Sequence, residues 1–274
     1  METNVNWDLW NCRSSASGLL MVQPKLKEEK ERNELSATAK TYLTKEYAFA
    51  KFGKEHLDLK TKPVLNGKAV EEDSITLISR LDKTLYNKND KRLFNSHFSG
   101  EPDIFLGDSI ENATYIIDVK SSYSIHTFLD NLNGKLNPLY YYQLQAYMYL
   151  TNCQKSEVSY CLVNMDETLL NDERRKLIYS LGVISEDSPE YKEAEKKLTN
   201  TYTYDDIPLE LKRLRFFVER DDEVVEQMKA KVEKAREYLK LLEKKHLNFN
   251  NISPIEPKEK KINSLLNKIK NGTN

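Results

Sequence analysis

Gly100-Glu-Pro-Asp-Ile-Phe-Leu-Gly-Asp108, followed after a short turn by Ala113-Thr-Tyr-Ile-Ile-Asp-Val-Lys-Ser-Ser122, is the stretch that decides how this chain folds. Pro102 closes one segment, Ile104 to Leu106 read as a short apolar strand, and Gly107 to Asn112 carry turn chemistry ahead of a second strand from Tyr115 to Val119. The pattern predicts a hairpin. Side chains alternate along a strand, so Asp118 and Lys120 share one face while Val119 points away into the core. Asp103, at the start of the partner strand, can meet them. Two carboxylates and a lysine placed this way suit metal-dependent chemistry on a phosphodiester. Carboxylate oxygens, with the Val119 carbonyl as a further donor, would hold Mg²⁺ or Mn²⁺ as a two-ion site, and the ions lower the pKa of a water and neutralise the leaving oxygen. Lys120 would position the attacking water or steady the phosphorus centre. Taken alone, the same spacing also fits an exposed cross-strand ion pair.

Three other segments bear on that choice. Pro138 to Leu150, Pro-Leu-Tyr-Tyr-Tyr-Gln-Leu-Gln-Ala-Tyr-Met-Tyr-Leu, reads as a helix on which Gln143 and Tyr147, four apart, share a face; a buried aromatic face accounts for Tyr141 and Tyr149, with Gln145 solvated. Upstream, Gly67-Lys-Ala-Val-Glu71-Glu72-Asp73 opens a helix whose first turns are acidic, as the helix dipole favours, and capping alone would explain the acids. Near the amino terminus, Asn11-Cys-Arg13-Ser-Ser-Ala-Ser17-Gly precedes a short apolar helix. Hydroxyls and free N–H groups at a helix start beside an arginine make either an anion site or a plain serine cap.

Together these four segments resemble the PD-(D/E)xK nuclease superfamily, closest to its lambda-exonuclease-like, YqaJ-type branch, over roughly residues 7 to 165. Pro102-Asp103 matches the first half of the signature and Asp118-Val119-Lys120 the second, with Asp118 standing where the lambda enzyme has Glu, a choice the superfamily allows. The resemblance implies an α/β, restriction-endonuclease-like core: a central mixed sheet flanked by helices. It implies that Glu71 adds a carboxylate to the metal set. Gln143, with Tyr147 in its Gln-x-x-x-Tyr helix, would touch the active site and the DNA, and Arg13 with Ser17 would hold a 5′-phosphate. The implied activity is a Mg²⁺-dependent 5′ to 3′ exonuclease on double-stranded DNA ends, used in phage-type recombination or end processing. Implied partners are a single-strand annealing recombinase and further copies of the chain in a trimeric ring. A RecB-type or restriction-like endonuclease is the alternative within the enzyme class, and a catalytically idle DNA- or partner-binding member of the fold lies outside it.

Composition sets the frame. The 274 residues suffice for one large or two small domains; residues 1–247 are expected to form the nuclease domain with helical additions and 248–274 a flexible basic tail. No targeting segment or membrane-length apolar run is evident, so a cytoplasmic enzyme of a bacterial or phage-infected cell is expected. Cys12, Cys153 and Cys161 lack metal-ligand spacing and read as reduced, mostly buried thiols. His56, His97, His126 and His246 form no cluster, although His97 and His126 flank the motif. Lys and Arg total 42 against 43 Asp and Glu, which is less basic than nonspecific DNA-binding modules usually are and requires any DNA groove to be local.

Downstream, Ser156 to Met165 reads as a strand extending the sheet, Leu169–Leu181 and Tyr191–Leu198 as charged helices, and Leu211–Glu219 as a last strand. From Asp221 to His246, Val225, Met228, Val232, Ala235, Leu239 and Leu242 recur three and four apart, giving a long amphipathic helix that packs on the body or serves a partner. The polar stretch 23–63, with a helix around Leu35 to Phe52, has no assigned role.

Overall fold

The computed structural model describes residues 5–54 and 61–249. In chain order its elements are β1 (Cys12–Arg13), α1 (Ser14–Met21), α2 (Lys27–Glu31), α3 (Ala37–Phe52), α4 (Lys62–Ala69), α5 (Glu71–Asp82), β2 (Asn87–Lys88), β3 (Leu93–Phe94), β4 (Phe98–Gly100), β5 (Ile104–Leu106), β6 (Tyr115–Ser121), α6 (Ile125–Leu129), α7 (Pro138–Thr151), β7 (Lys155–Cys161), α8 (Glu167–Leu181), α9 (Pro189–Tyr202), β8 (Arg213–Glu219) and α10 (Asp222–Asn248). The hairpin of the quoted stretch is present: β5 and β6 pair antiparallel, with Ile104 opposite Ile117 and Leu106 opposite Tyr115. β7 returns parallel to β6 after the α6–α7 crossover, as parallel pairing requires, and β8 closes antiparallel on β7. The five-stranded sheet has the order β2-β5-β6-β7-β8; a separate small sheet, β1-β4-β3, was not expected.

Alternation divides the central sheet into two differently used faces. Toward α7 lie Ile116, Val158, Tyr160 and Val218, packed with Leu144, Tyr147 and Met148. On the opposite face Ile104, Ile117, Val119 and Cys161 pack against Ile75, Leu77 and Ile78 of α5. α1 lies close on α7, and Gly18 is what allows it. A Cβ there would meet the Leu139 Cα at 2.8 Å.

Within the stretch 23–63, α3 has a packing role. Ser36 caps α3 by accepting from the Ala39 N–H, and α3 buries Ala39, Tyr42, Leu43 and Tyr47 against Val232, Ala235 and Leu239 of α10. α10, capped by Asp221, therefore packs on the body along the stripe its periodicity predicts. The basic tail lies outside the described residues from position 250 onward, as does His56. One helix boundary differs from expectation. Gly67 sits inside α4, and Glu71 begins a separate helix after the turn at Val70; no side-chain cap bond forms there, while Glu71, Glu72 and Asp73 fill the first turn, where the helix dipole favours acids.

Candidate active site

The β5–β6 ladder ends two residues before Val119, and Asp103 takes over where it stops. The Val119 N–H donates to Asp103 Oδ2 at 2.7 Å, fixing this carboxylate beside β6. N–H and C=O of one strand residue point the same way, so the Val119 carbonyl also opens toward this edge. Asp118 and Lys120 project on the α7 face, as alternation predicts. Asp118 is buried, with Lys120 Nζ 2.7 Å from its Oδ2 and Gln143 Nε2 donating to its Oδ1 at 2.8 Å. The same Gln143 nitrogen donates to the Tyr147 hydroxyl at 3.1 Å, so the residues four apart do act together.

The electrostatics are those of a site short of positive charge. Burial, and then the neighbouring charge of Asp118, push the Asp103 carboxyl up to about 7, with Lys120 and the Val119 N–H pulling the other way. Burial disfavours the Lys120 ammonium, yet Asp118 and Asp103 outweigh it and raise its pKa. Tyr147 is held as a neutral phenol by burial and by both carboxylates. Asp118 Oδ2 is buried and accepts no hydrogen bond of good geometry, even with the lysine nearby. A hard divalent cation fits such a donor set: Mg²⁺ commonly binds through one or two carboxylates, leaving its other positions to water and substrate phosphate.

Glu71 does not complete a cluster. It lines the same cavity of about 540 Å³ as Asp103, Val119 and Lys120, but Lys88 on β2 holds its carboxylate at 3.0 Å. Among the described residues no three His, Cys, Asp or Glu side chains converge as a metal cage. The expected third carboxylate is thus paired at the rim, because β2 brings a lysine onto the first turn of α5. Glu72 pairs with the same lysine, and Asp73 is exposed.

Two further expectations change on burial. Ser17 is 2% exposed and its hydroxyl donates to the Ser14 carbonyl at 2.7 Å, which turns it into the helix and not toward a ligand. Tyr147 is 4% exposed and supports Gln143 from behind, so it offers no surface to DNA. Arg13 does reach solvent, pairing with Glu46 at 3.3 Å. The start of α1 lies near the site: a Cβ on Gly100 would meet both Ser14 Oγ and Tyr147 Cε1 at 2.6 Å. Gln145 is fully buried, contrary to the solvated reading. It donates to the Glu219 carbonyl and accepts the Asp221 N–H, joining α7 to the β8–α10 junction.

Tyr140, which the sequence pattern did not single out, faces Lys120 with the ammonium 4.9 Å from its ring centroid. Its spacing of three from Gln143 was the available signal. His97 pairs with Glu233 on α10 at 3.3 Å, and His126 is exposed on α6, so neither joins the carboxylates. The three cysteines are buried, and burial pushes Cys12 and Cys161 up to about 12, leaving them as thiols.

No family model matches the sequence, and no curated protein matches it significantly. Solved structures do. The chain superposes on a phage-related exonuclease from Haemophilus somnus 129PT with a TM-score of 0.64 and 22% identity, covering 86% of this chain and 96% of that one. An alkaline exonuclease from Laribacter hongkongensis aligns with a TM-score of 0.56 and 14% identity, covering 89% and 98%. The same enzyme in complex with dAMP aligns at 0.57 and 14%, covering 89% and 94%. The chain has the restriction-endonuclease-like fold of these proteins, a mixed sheet between helices with a long C-terminal helix.

Proposed function

We propose that this chain is a Mg²⁺-dependent deoxyribonuclease of the lambda-exonuclease-like, YqaJ-type branch, digesting double-stranded DNA from its ends in the 5′ to 3′ direction. One observation carries the reading. Lys120 and Gln143 meet Asp118 at ion-pair and hydrogen-bond distance, with Asp103 held on the Val119 N–H of the same strand, on a fold shared with exonucleases, and motif spacing had picked out all four. Mn²⁺ could replace Mg²⁺, since both accept hard oxygen donors.

Asp103 and Asp118 would hold the cation, with the Val119 carbonyl on the same edge. Such an ion supplies Lewis acidity toward a phosphoryl oxygen and an acidified water. Gln143 fixes Asp118 in one orientation through Oδ1, leaving Oδ2 turned to Lys120 and the site. Lys120, kept charged by the two carboxylates and steadied over the Tyr140 ring, stabilises the added charge on the phosphorus centre. Glu71, at the rim, would reach the site on release from Lys88. Arg13 and the N–H groups at the start of α1 would receive a 5′-phosphate.

The test compares linear duplexes bearing 5′-phosphate or 5′-hydroxyl ends with covalently closed circles, in EDTA and after addition of Mg²⁺. The reading expects digestion only with metal, faster from 5′-phosphate, with circles untouched and with Arg13→Ala losing most of the phosphate preference. Rapid nicking of circles would replace it with a restriction-like endonuclease. DNA binding without any metal-dependent cleavage would make the chain a binding protein.

A further inference from the structure

We propose that the trough along the outer side of α5 is a docking track for the phosphodiester backbone of DNA leaving the site. This rests on the functional reading above and extends it to a surface that the site residues do not include. The trough has a volume of about 590 Å³ and is bordered by Thr76, Ser79, Arg80, Lys83, Thr84 and Lys88. It begins at the rim of the active site, because Lys88 reaches from it to Glu71.

An arginine outside any ion pair marks this surface among the described residues. Nine of the ten arginines pair with a carboxylate. Arg80, exposed on α5, is the exception among the described residues. Lys83, also exposed, has no ion pair there either, and stands one turn on from Arg80 at the left-handed C-cap of α5, φ 51°. The acids that could cancel them are already engaged: Glu72 with Lys88, and Asp82 with Arg213 and Arg215. The trough therefore presents uncompensated positive charge beside hydroxyl donors, on a chain that is neutral overall. Leu85, 88% exposed at its edge, offers an apolar surface to a sugar or base.

The dimensions match a strand of DNA. Glu72 to Lys83 is eleven helical steps, about 16 Å at 1.5 Å per residue. Phosphates on one strand of B-form DNA advance about 3.4 Å along the axis but wind around it, so neighbours lie roughly twice that far apart and the track spans about two or three of them. Arg80 and Lys83 would then grip phosphates at the far end of the track, about two nucleotides from the rim, and Lys88 would stand at the near end.

The experiment measures anisotropy of a fluorescein-labelled duplex of about twenty base pairs with the full chain in EDTA, over a series of salt concentrations. The double variant Arg80→Glu, Lys83→Glu is expected to bind at least ~10-fold more weakly near 0.1 M salt. Its log K against log salt slope should be shallower by about two, one unit for each phosphate no longer held. Arg80→Lys with Lys83→Arg should restore the affinity. A matched charge reversal on α2, Lys27→Glu with Lys30→Glu, should bind as the unaltered chain. Unchanged affinity and slope in the first variant, or equal loss in the α2 control, would overturn the track while leaving the functional reading in place. Absence of DNA binding by the unaltered chain would overturn both. Should the double reversal fail to fold, judged by its melting curve, the milder Arg80→Ala, Lys83→Ala pair decides the matter by the same slope.

Discussion

Two groups of buried charge lie on opposite faces of the same sheet, and they are built to opposite rules. On the α5 face, Glu157 is fully buried but surrounded: Arg213 pairs with Oε1, Arg215 Nη2 lies 2.6 Å from Oε2, and the Tyr115 hydroxyl donates to Oε2 at 2.7 Å. Asp82 completes the network with Arg213, Arg215 and the Tyr86 hydroxyl. Burial works against its charge, yet those partners hold its carboxyl below the usual range. On the α7 face, Asp103 and Asp118 share one lysine, and the Asp103 carboxyl is pushed up. The first group matches two carboxylates with two arginines. The second has too few positive partners, and such a deficit is what a bound cation would make good. Burial of charge is common to both, so burial alone does not mark a functional site. The missing compensation does.

The largest effect expected from this contrast is on rate. Asp118→Asn should reduce turnover on linear duplex by ~10³-fold or more while the melting temperature holds or rises, since the change removes one of two crowded negative charges without altering volume. Steady-state kinetics beside a thermal melt would check it, and near-normal turnover would remove Asp118 from the chemistry. Glu157→Gln should do the reverse. It leaves Arg213 and Arg215 with Asp82 as their one remaining carboxylate and should cost about 3–5 kcal/mol in urea unfolding, the usual range for breaking a buried pair.

Next in size is the docking of α1 on α7, which holds the two halves of the site together. Gly18→Ala puts a methyl 2.8 Å from the Leu139 backbone, where no side chain can swing aside. Overpacking of this kind costs about 1–3 kcal/mol. Activity should fall with stability, because the same two helices also bring Ser14 and Tyr147 together over Gly100. A Gly18→Ala protein as stable as the parent would mean that the two helices have slack.

The two faces should also answer pH with opposite signs. Asp103 has its folded pKa raised, so in metal-free protein its contribution is fully present below about 4 and is lost as pH climbs through about 7. Asp82 has its folded pKa lowered. Its contribution is present above about 4 and is lost as pH falls below that. Melting curves in EDTA should thus decline between about pH 4 and about pH 7 in the parent, and Asp103→Asn should flatten that decline without touching the acid limb. An unchanged slope in Asp103→Asn would show that another group titrates there.

How much of this was legible beforehand follows the range of the interactions. The β5–β6 hairpin, the Gln143–Tyr147 face and the α10 stripe depend on spacings of two, three and four along the chain, and all three were readable from local pattern. The network around Glu157 was not, since its members come from α5, β6, β7 and β8, and a Glu in a strand reads as polar wherever its partners are. Gln145 failed for the same reason: its partners lie at the β8–α10 junction, more than seventy residues away. Glu71 was located at the site but its pairing was missed, because Lys88 arrives on an edge strand of only two residues with no pattern to announce it. Ser17 looked like a ligand because hydroxyls at helix starts often are. Its turn back to the Ser14 carbonyl depends on burial that sequence does not reveal.

The smallest effect expected is at that rim pair. Lys88 and Glu71 are both well solvated, so Lys88→Ala should shift folding stability by less than about 1 kcal/mol. A larger loss by chemical denaturation would mean that the rim is part of the core.

Thermal melting of EDTA-treated protein during a titration with Mg²⁺ or Mn²⁺ tests the central claim most directly, because it asks whether the under-compensated carboxylates receive a cation without depending on catalysis. The account predicts a saturable rise in melting temperature that is lost in Asp103→Asn and in Asp118→Asn and persists in Lys88→Ala. A melting temperature indifferent to both metals, or a rise that survives intact in Asp118→Asn, would contradict it.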